Sequence, residues 1–378
     1  MSTSEAQVAL LETIRLQRAG FVALGCPFYE ALLGELAVDV EQGGPASRVL
    51  APYADAPFER AYVLRLLGGA HRMVLAGDAP ALAAHFPSRF PSVGGEAVGG
   101  EAAGGDGDAG AAFAVLQEML REPPTELLGM FARPPQTNEV GRSAALASGL
   151  LVVADALGLP LSVREIGASA GLNLRLDRYW YAQDGAGWGS DASPVRFVDL
   201  WRGGAPPFAS GLEIVDRRGC DRDPIDATSA DGALTLLSYI WPEPPERFAR
   251  ARDAIAMAHD HPVVIDRADA LVWVPEQLAN RPVGTALVVM HSVMWQYLDA
   301  VTQRGIRDSI CDAGRQATPD APVAWVRLEP NEEHYAPAEL RVSIWDGHAP
   351  EPREQLLATS GFHGGELTWV AEAGASGA

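Results

Sequence analysis

The stretch "LSVREIGASAGLNLRLDRYW", Leu161 to Trp180, decides how the chain is read. It opens as an apolar, strand-like run carrying one acid, Glu165. Five small residues follow, Gly167-Ala168-Ser169-Ala170-Gly171, and then a helix-like run. Three structures use a strand, a tight turn and a helix in this order. One holds a nucleotide-like cofactor at the helix N-terminus. One is the G-x-S-x-G elbow that exposes a nucleophilic serine. The third is a close-packed turn that needs small side chains.

On the N-terminal side of this stretch the sequence reads as helical throughout. Helices are expected to start near Ser4, Pro27, Pro57, Ala112 and Glu139. Pro27 and Pro57 suit first-turn positions, Gly20 and Gly77 suit helix stops, and Ser4 and Gln7 have the spacing of a capping box. No period-2 strand is expected before Leu161. The acidic, glycine-rich segment Ser92 to Ala111 reads as a disordered surface insertion, and the tail "AEAGASGA" as disordered.

On the C-terminal side β-branched runs alternate with helical stretches. The strand-like runs are "LSVREI", "LEIVDRRG", "PVVIDRAD", "TALVVMHSV" and "PVAWVRLEP". Helices are expected in "GLNLRLDRYW", "DGALTLLSYI" through "ERFARARDAIAMA", "LVWVPEQLAN" and "WQYLDAVTQRGIRDSICDAG". Such alternation implies a mostly parallel, doubly wound sheet. "ELRVSIWDG" and "GELTWV" lack a helix between them and predict an antiparallel hairpin closing the sheet edge. The expected architecture is an α/β, Rossmann-like sheet with a C-terminal antiparallel hairpin over 159–372, preceded by an all-α domain over 1–158.

Composition removes whole classes of function. The net charge is −20, which argues against nucleic acid or an anionic membrane as the main partner. All 29 basic residues are arginine. A Schiff-base lysine and a P-loop lysine are therefore both excluded. The three cysteines, Cys26, Cys220 and Cys311, are far apart, which fits a reducing cytoplasm better than a disulfide framework or a zinc site. His259 and His261 are spaced i, i+2 and do not share a helix face. The N-terminus lacks signal-peptide character, and no run approaches the ~20 apolar residues of a membrane span. A small molecule is the expected partner.

The glycine turn can now be weighed. A dinucleotide fingerprint needs G-x-G-x-x-G, and from Gly167 the second and third glycines fall on Ser169 and Leu172. The hydrolase string G-x-S-x-G is met literally by Gly167 to Gly171. Its triad histidine would come from His291, His334, His348 or His363, but the "HGG" at His363 lies downstream of the serine rather than upstream. The third template fits in register. Glu165 to Gly171 resembles the first motif of class I S-adenosylmethionine-dependent methyltransferases, with Ser169 replacing the middle glycine.

That resemblance implies a cofactor site built from Glu165, Gly167, Ser169, Gly171 and Asn173. "VDRRGCDRDPID" resembles the end of the family's second strand, where an acid holds the ribose hydroxyls; here that is Asp221. The 50-residue interval from Gly171 to Asp221 exceeds the ~20 a dinucleotide fold needs. The excess reads as an inserted excursion, and Asp199 within it is the rival acid. "VVIDRADALVW" places Asp269 where an acid contacts the adenine amino group. "LVVMHSVMWQY" resembles the fourth strand and the catalytic segment, with His291 as base, Tyr297 as a second catalytic candidate and Trp295 as a pocket wall. Each acid has an ordinary alternative as a helix cap or turn former. Asn138, Glu139 and Arg142 form either a polar binding cluster or a capped helix start with an i, i+3 pair. Trp241 reads as structural.

The chain as a whole also resembles a bacterial family known as domain of unknown function 2332. The strings that carry this are "QTNEVGR", "REIGASAGLNL", "RRGCDRDPID", "SYIWPEPPER", "VVMHSVMWQYL" and "AWVRLEP". The resemblance implies a shared fold and no particular activity. The expected function is S-adenosylmethionine-dependent methylation of a small polar metabolite. A serine hydrolase acting through Ser169 and a non-catalytic ligand-binding protein remain the alternatives.

Overall fold

The computed structural model describes residues 3–87, 107–331 and 336–370. The helices are α1 Thr3–Ala23, α2 Pro27–Glu41, α3 Pro45–Leu50, α4 Tyr62–Ala76, α5 Pro80–Ala83, α6 Ala109–Met119, α7 Thr125–Gly129, α8 Ser143–Leu157, α9 Ala230–Ser238, α10 Pro245–Met257, α11 Ala270–Ala279 and α12 Ala300–Arg315. The strands are β1 Leu161–Ile166, β2 Trp180–Gln183, β3 Ala186–Gly189, β4 Arg196–Val198, β5 Trp201–Arg202, β6 Ile214–Asp221, β7 Val264–Arg267, β8 Ala286–Ser292, β9 Val323–Pro330, β10 Ala338–Trp345, β11 Arg353–Ser360 and β12 Leu367–Trp369. Among the described residues no strand precedes Leu161.

The chain divides into two compact units. One joins 1–137 to 227–252, and the other joins 138–226 to 253–378. The domain boundary expected at 158/159 is thus displaced. Helix α8 packs on β9 and β10 and belongs to the sheet unit, while 227–252 returns to the helical unit. Within that helical unit Phe21 meets Tyr29 edge-on at 5.3 Å and Trp241 at 4.8 Å, so Trp241, partly buried, packs against the core. A Cβ on Gly68 would lie 2.5 Å from the Tyr239 ring, which is how closely α4 and α9 approach.

Several local expectations are corrected. Helix α1 runs through Gly20, and the left-handed residue after it is Gly25, at φ +67°. Gly77 does stop α4, at φ +81°. Gln7 forms no capping box; its amide donates to the Val40 and Glu41 carbonyls at 2.5 and 2.7 Å. Those carbonyls lie in the last turn of α2, where the i+4 donors run out; Val40 O also accepts from the Gly43 N–H at 3.1 Å. Most of the expected insertion at 92–111, and the tail from 371, lie outside the described residues. Residues 107–111 are described and are structured, with Asp108 capping α6 through the Ala111 N–H at 2.9 Å.

The sheet unit carries nine strands in the order β5-β12-β11-β10-β9-β8-β1-β6-β7. Strands β7, β6, β1, β8 and β9 are mutually parallel. Counted along the chain, those five lie in the order third, second, first, fourth, fifth. The order therefore reverses direction between β1 and β8. Both strands are buried along their whole length, as expected for a parallel sheet covered on both faces. On one face α8 comes so close that a Cβ on Gly149 would lie 2.6 Å from Val326. On the other, Leu287, Val289 and Val323 join Trp273 and Val274 of α11 and Ile306 and Ile310 of α12.

The antiparallel edge is longer than the expected hairpin. "REQLLATS" forms β11 between the two expected strands, so β9, β10, β11 and β12 make a meander. Its alternation is partly polar, because one face of this edge carries charged residues. The run "GLNLRLDR" forms a 3₁₀ helix, Asn173–Arg178, rather than an α-helix. The expected excursion is present: β2, β3 and β4 form a separate small sheet, and β5 adds to the far edge beside β12. Strand β6 pairs with β1, so the second strand is the one that ends at Asp221 and the excursion carrying Asp199 is not. Among the described residues, Val140–Leu157 is long and apolar enough to cross a membrane, and 72% of it is buried within the protein.

Candidate functional site

In open parallel sheets, ligands bind beyond the carboxyl ends of the strands where the strand order reverses. Here that point lies between β1 and β8, and the small-residue turn leaves β1 there. The turn is held almost entirely by the chain itself. The Ser169 N–H donates to Asp221 Oδ2 at 2.9 Å, and the Asp223 N–H to Asp221 Oδ1 at 2.9 Å. Asn138 Oδ1 accepts from the Ala170 and Leu172 N–H groups at 3.2 and 2.8 Å. Arg175 donates to the Ala170 and Gly171 carbonyls at 3.2 and 2.9 Å and to His261 O at 2.6 Å. Small residues are obligatory here: a Cβ on Gly171 would lie 2.8 Å from Val263, and one on Gly219 2.5 Å from Ala168.

Backbone strain gathers around this turn. Asn138, Ser169 and Val293 have φ of +29°, +52° and +48°. A positive φ is unusual for any non-glycine residue and a marked outlier for a β-branched one. Such strain persists where surrounding contacts over-determine it, and it clusters at functional sites. The three residues belong to converging segments, since Asn138 bonds the turn and Met294, next to Val293, lies 3.2 Å from where a Gly167 Cβ would stand.

Glu165 sits at the carboxyl end of β1, 2% exposed. Its Oε2 has no hydrogen-bond partner. Burial, then the charge of Asp221, pushes its carboxyl well above the usual range, while Arg142, Arg175 and a hydrogen bond from Asn173 act the other way. Asn173 is itself held by the Ser143 hydroxyl at 2.7 Å.

A second group of residues surrounds His291, at the end of β8. Its Nδ1 is 2.6 Å from Glu329 Oε1. Glu329 also accepts from the Met294 and Trp295 N–H groups at 3.2 and 3.3 Å. With three donors directed at it, the Glu329 carboxylate accepts from the ring at Nδ1 and orients the imidazole. The ring stacks on Trp295 at 4.9 Å. These residues border a cleft of about 640 Å³ that extends along β9, β10 and the start of β11. Its charged residues are mostly paired: Arg327 with Glu354 at 2.8 Å, and Arg341 with Glu339 at 2.7 Å and Glu354 at 3.6 Å.

The family model described as "Uncharacterized protein conserved in bacteria (DUF2332)" matches residues 12–369. The chain belongs to DUF2332. No curated protein matches it.

The DUF2332 structure gathers some of the residues proposed from sequence and disperses others. Glu165, Ser169, Asp221, Asn138 and Asn173 all converge on the turn. Arg142 lies close enough to influence Glu165, and its guanidinium donates to Phe362 O at 2.7 Å and Ser292 O at 3.2 Å. Glu139 instead caps its own 3₁₀ turn through the Gly141 N–H at 3.1 Å and lies 3.6 Å from His363. Asp269 caps α11 through the Leu271 N–H at 2.9 Å and lies 3.4 Å from Arg222. Tyr297 is 63% exposed. Sequence reasoning missed Arg175, Glu329, Trp325 and Arg327. Glu329 carried a usable signal, because it ends β9 as Glu165 ends β1.

Proposed function

We propose that this DUF2332 chain binds S-adenosylmethionine beyond the end of β1 and transfers its methyl group to a small polar molecule. The observation that carries the reading is the buried, unpartnered Oε2 of Glu165, next to a strained small-residue turn where the strand order reverses. A carboxyl oxygen without a partner is costly to bury, and a ligand ammonium group would offset that cost. The strand order supports the reading, since third-second-first-fourth-fifth is the order of Rossmann-like sheets. Asp221 already accepts two backbone N–H groups, but each carboxylate oxygen keeps a second acceptor position for a ribose hydroxyl. The 3₁₀ helix after the turn is a poor dipole, so Arg142 is the better counterpart for a ligand carboxylate. When bound, the sulfonium supplies an activated methyl group, and the chain's task is alignment.

Calorimetric titration with S-adenosylmethionine and S-adenosylhomocysteine tests this. The expected affinity is micromolar, on the order of −8 kcal/mol. Repeating the titration in buffers of different ionisation enthalpy should reveal proton release, as Glu165 ionises against the ligand ammonium. Absence of heat at millimolar ligand sinks the cofactor reading. The positive φ of Ser169 also suits a strained nucleophile elbow, so labelling of Ser169 by a fluorophosphonate probe would favour the hydrolase instead.

A further inference from the structure

We infer that the cleft over β8 to β11 binds a small organic acid, whose single carboxylate pairs with Arg307 on the α12 wall. The charges around the cleft point there. Its acids already have their donors. Glu329 accepts from His291 and from two backbone N–H groups. Glu339 accepts from Arg341 at 2.7 Å and from Asn331. Glu354 accepts from the Ser343 hydroxyl at 2.9 Å and pairs with Arg327 and Arg341. The two strand arginines are thus committed, and Arg327 also lies 4.2 Å over the Trp325 ring. Arg307 borders the same cleft and is exposed. It makes no ion pair or hydrogen bond among the described residues.

The charge left for a ligand is therefore one guanidinium. It matches one carboxylate, which a guanidinium can hold through two parallel hydrogen bonds. A phosphate dianion would bring a second negative charge to a cleft already bordered by Glu329, Glu339 and Glu354. A cation would meet only carboxylates whose donors are in place. The net charge of −20 repels anions at long range, so an acid must be held by a local group of this kind. Trp295, Pro330 and Pro352 are partly buried and border the cleft, which gives the body of the acid apolar surface. A volume of about 640 Å³ lies within the range of ~300–1,000 Å³ usual for small-molecule sites.

Cys311 marks the same corner. It stands four residues after Arg307 on α12, which puts the two on one helix face, and both border the cleft. Burial raises the Cys311 thiol, Arg315 lowers it, Asp308 raises it, and Arg307 and Arg327 both lower it. Two guanidiniums, one from the helix and one from the sheet, therefore lie near this thiol. Cys26 and Cys220 are buried, whereas Cys311 is only partly so, which makes it a reporter for what enters.

The test uses full-length protein without S-adenosylmethionine, so that its failure is separate from failure of the cofactor titration. Iodoacetate and iodoacetamide both alkylate a thiolate, the sulfur displacing iodide, and the first carries a carboxylate that the second lacks. The ratio of their rates at Cys311 is read by peptide mass spectrometry. Arg307→Gln should lower the iodoacetate-to-iodoacetamide ratio about fivefold, at the upper end for an exposed ion pair. Arg304→Gln, three residues earlier on α12, exposed and outside the cleft, should leave it unchanged. Glu354→Gln, which leaves Arg327 without its acid, should raise it. Benzoate should protect Cys311 saturably, and benzamide and phenyl phosphate should protect it less. An unchanged ratio in Arg307→Gln, an equal fall in Arg304→Gln, or a lower ratio in Glu354→Gln would overturn the inference. So would protection by benzamide or phenyl phosphate as strong as that by benzoate.

Discussion

The turn after β1 and the cleft beyond β8 are built on opposite plans. At the turn, carboxylates, amides and a guanidinium are spent on the chain's own backbone, as Asp221, Asn138 and Arg175 show. In the cleft, charged side chains pair with one another across strands, as Arg327 does with Glu354. A backbone-anchored network fixes the shape of a loop, and its loss exposes buried peptide groups. A ladder of partly exposed ion pairs fixes little and can be rearranged by a ligand. The turn is thus a mould set during folding, and the cleft is a surface that can adapt.

The largest effects should fall on the turn. Arg175→Met takes a donor from three backbone carbonyls, of which Gly171 O keeps the Leu174 N–H at 3.2 Å, and should cost about 3 kcal/mol by urea denaturation; a change under half of that would show that the carbonyls find other partners. Gly171→Ala combines a positive φ of +68° with a 2.8 Å approach to Val263 and should cost about 2–4 kcal/mol. Asp221→Ala should weaken S-adenosylmethionine about ten- to a hundredfold and also loosen the turn, whereas Asp199→Ala, in the excursion, should leave binding unchanged. Equal effects of the two would remove the ribose role from Asp221.

Smaller effects should follow in the cleft. Glu354→Gln, on a half-exposed partner of Arg327 and Arg341, should change stability by less than about 1 kcal/mol. A loss as large as that of Arg175→Met would erase the contrast between the two regions. Ser169→Gly should be mildly stabilising, by about 0.5–1 kcal/mol, because it relieves a left-handed backbone.

Glu165 adds a pH signature. Its folded carboxyl is raised above the ordinary value of 4.5, so between the two values the folded chain holds a proton that the unfolded chain has lost. Its contribution is full below the ordinary value and is lost as pH rises through the raised one. Glu165→Gln should remove that downward slope from a series of melting temperatures taken towards neutral pH. An unchanged slope would mean that Glu165 is ionised throughout.

How far the sequence revealed these regions follows from how local their chemistry is. The parallel strands were legible because β8 and β9 are mostly apolar, β-branched runs and β1, β6 and β7 each open on a shorter one before their polar residues. The turn was legible because its small residues are adjacent in sequence. Arg175 was hidden, since nothing in "NLRLD" distinguishes a buried arginine from a surface one. The cleft was hidden more deeply. His291 and Glu329 are 38 residues apart, and their meeting depends on the β8–β9 register that sets His291 against Arg327. Strand β11 was missed because its first residues, Arg353, Glu354 and Gln355, are polar and exposed and break the apolar pattern.

The helical unit is not one continuous piece of chain. Its core is covered by Trp241, which packs against Phe21, yet β1 and β6 are synthesised in between. A ribosome must therefore release both central strands before the helices can finish closing. An N-terminal fragment ending at Thr137 would lack α9 and Trp241 and should emerge as an incomplete, chaperone-dependent product. The same threading bears on inheritance. Recombination at a single point cannot move either unit without cutting the other, so this pair of units is bound to pass between genomes as one indivisible module.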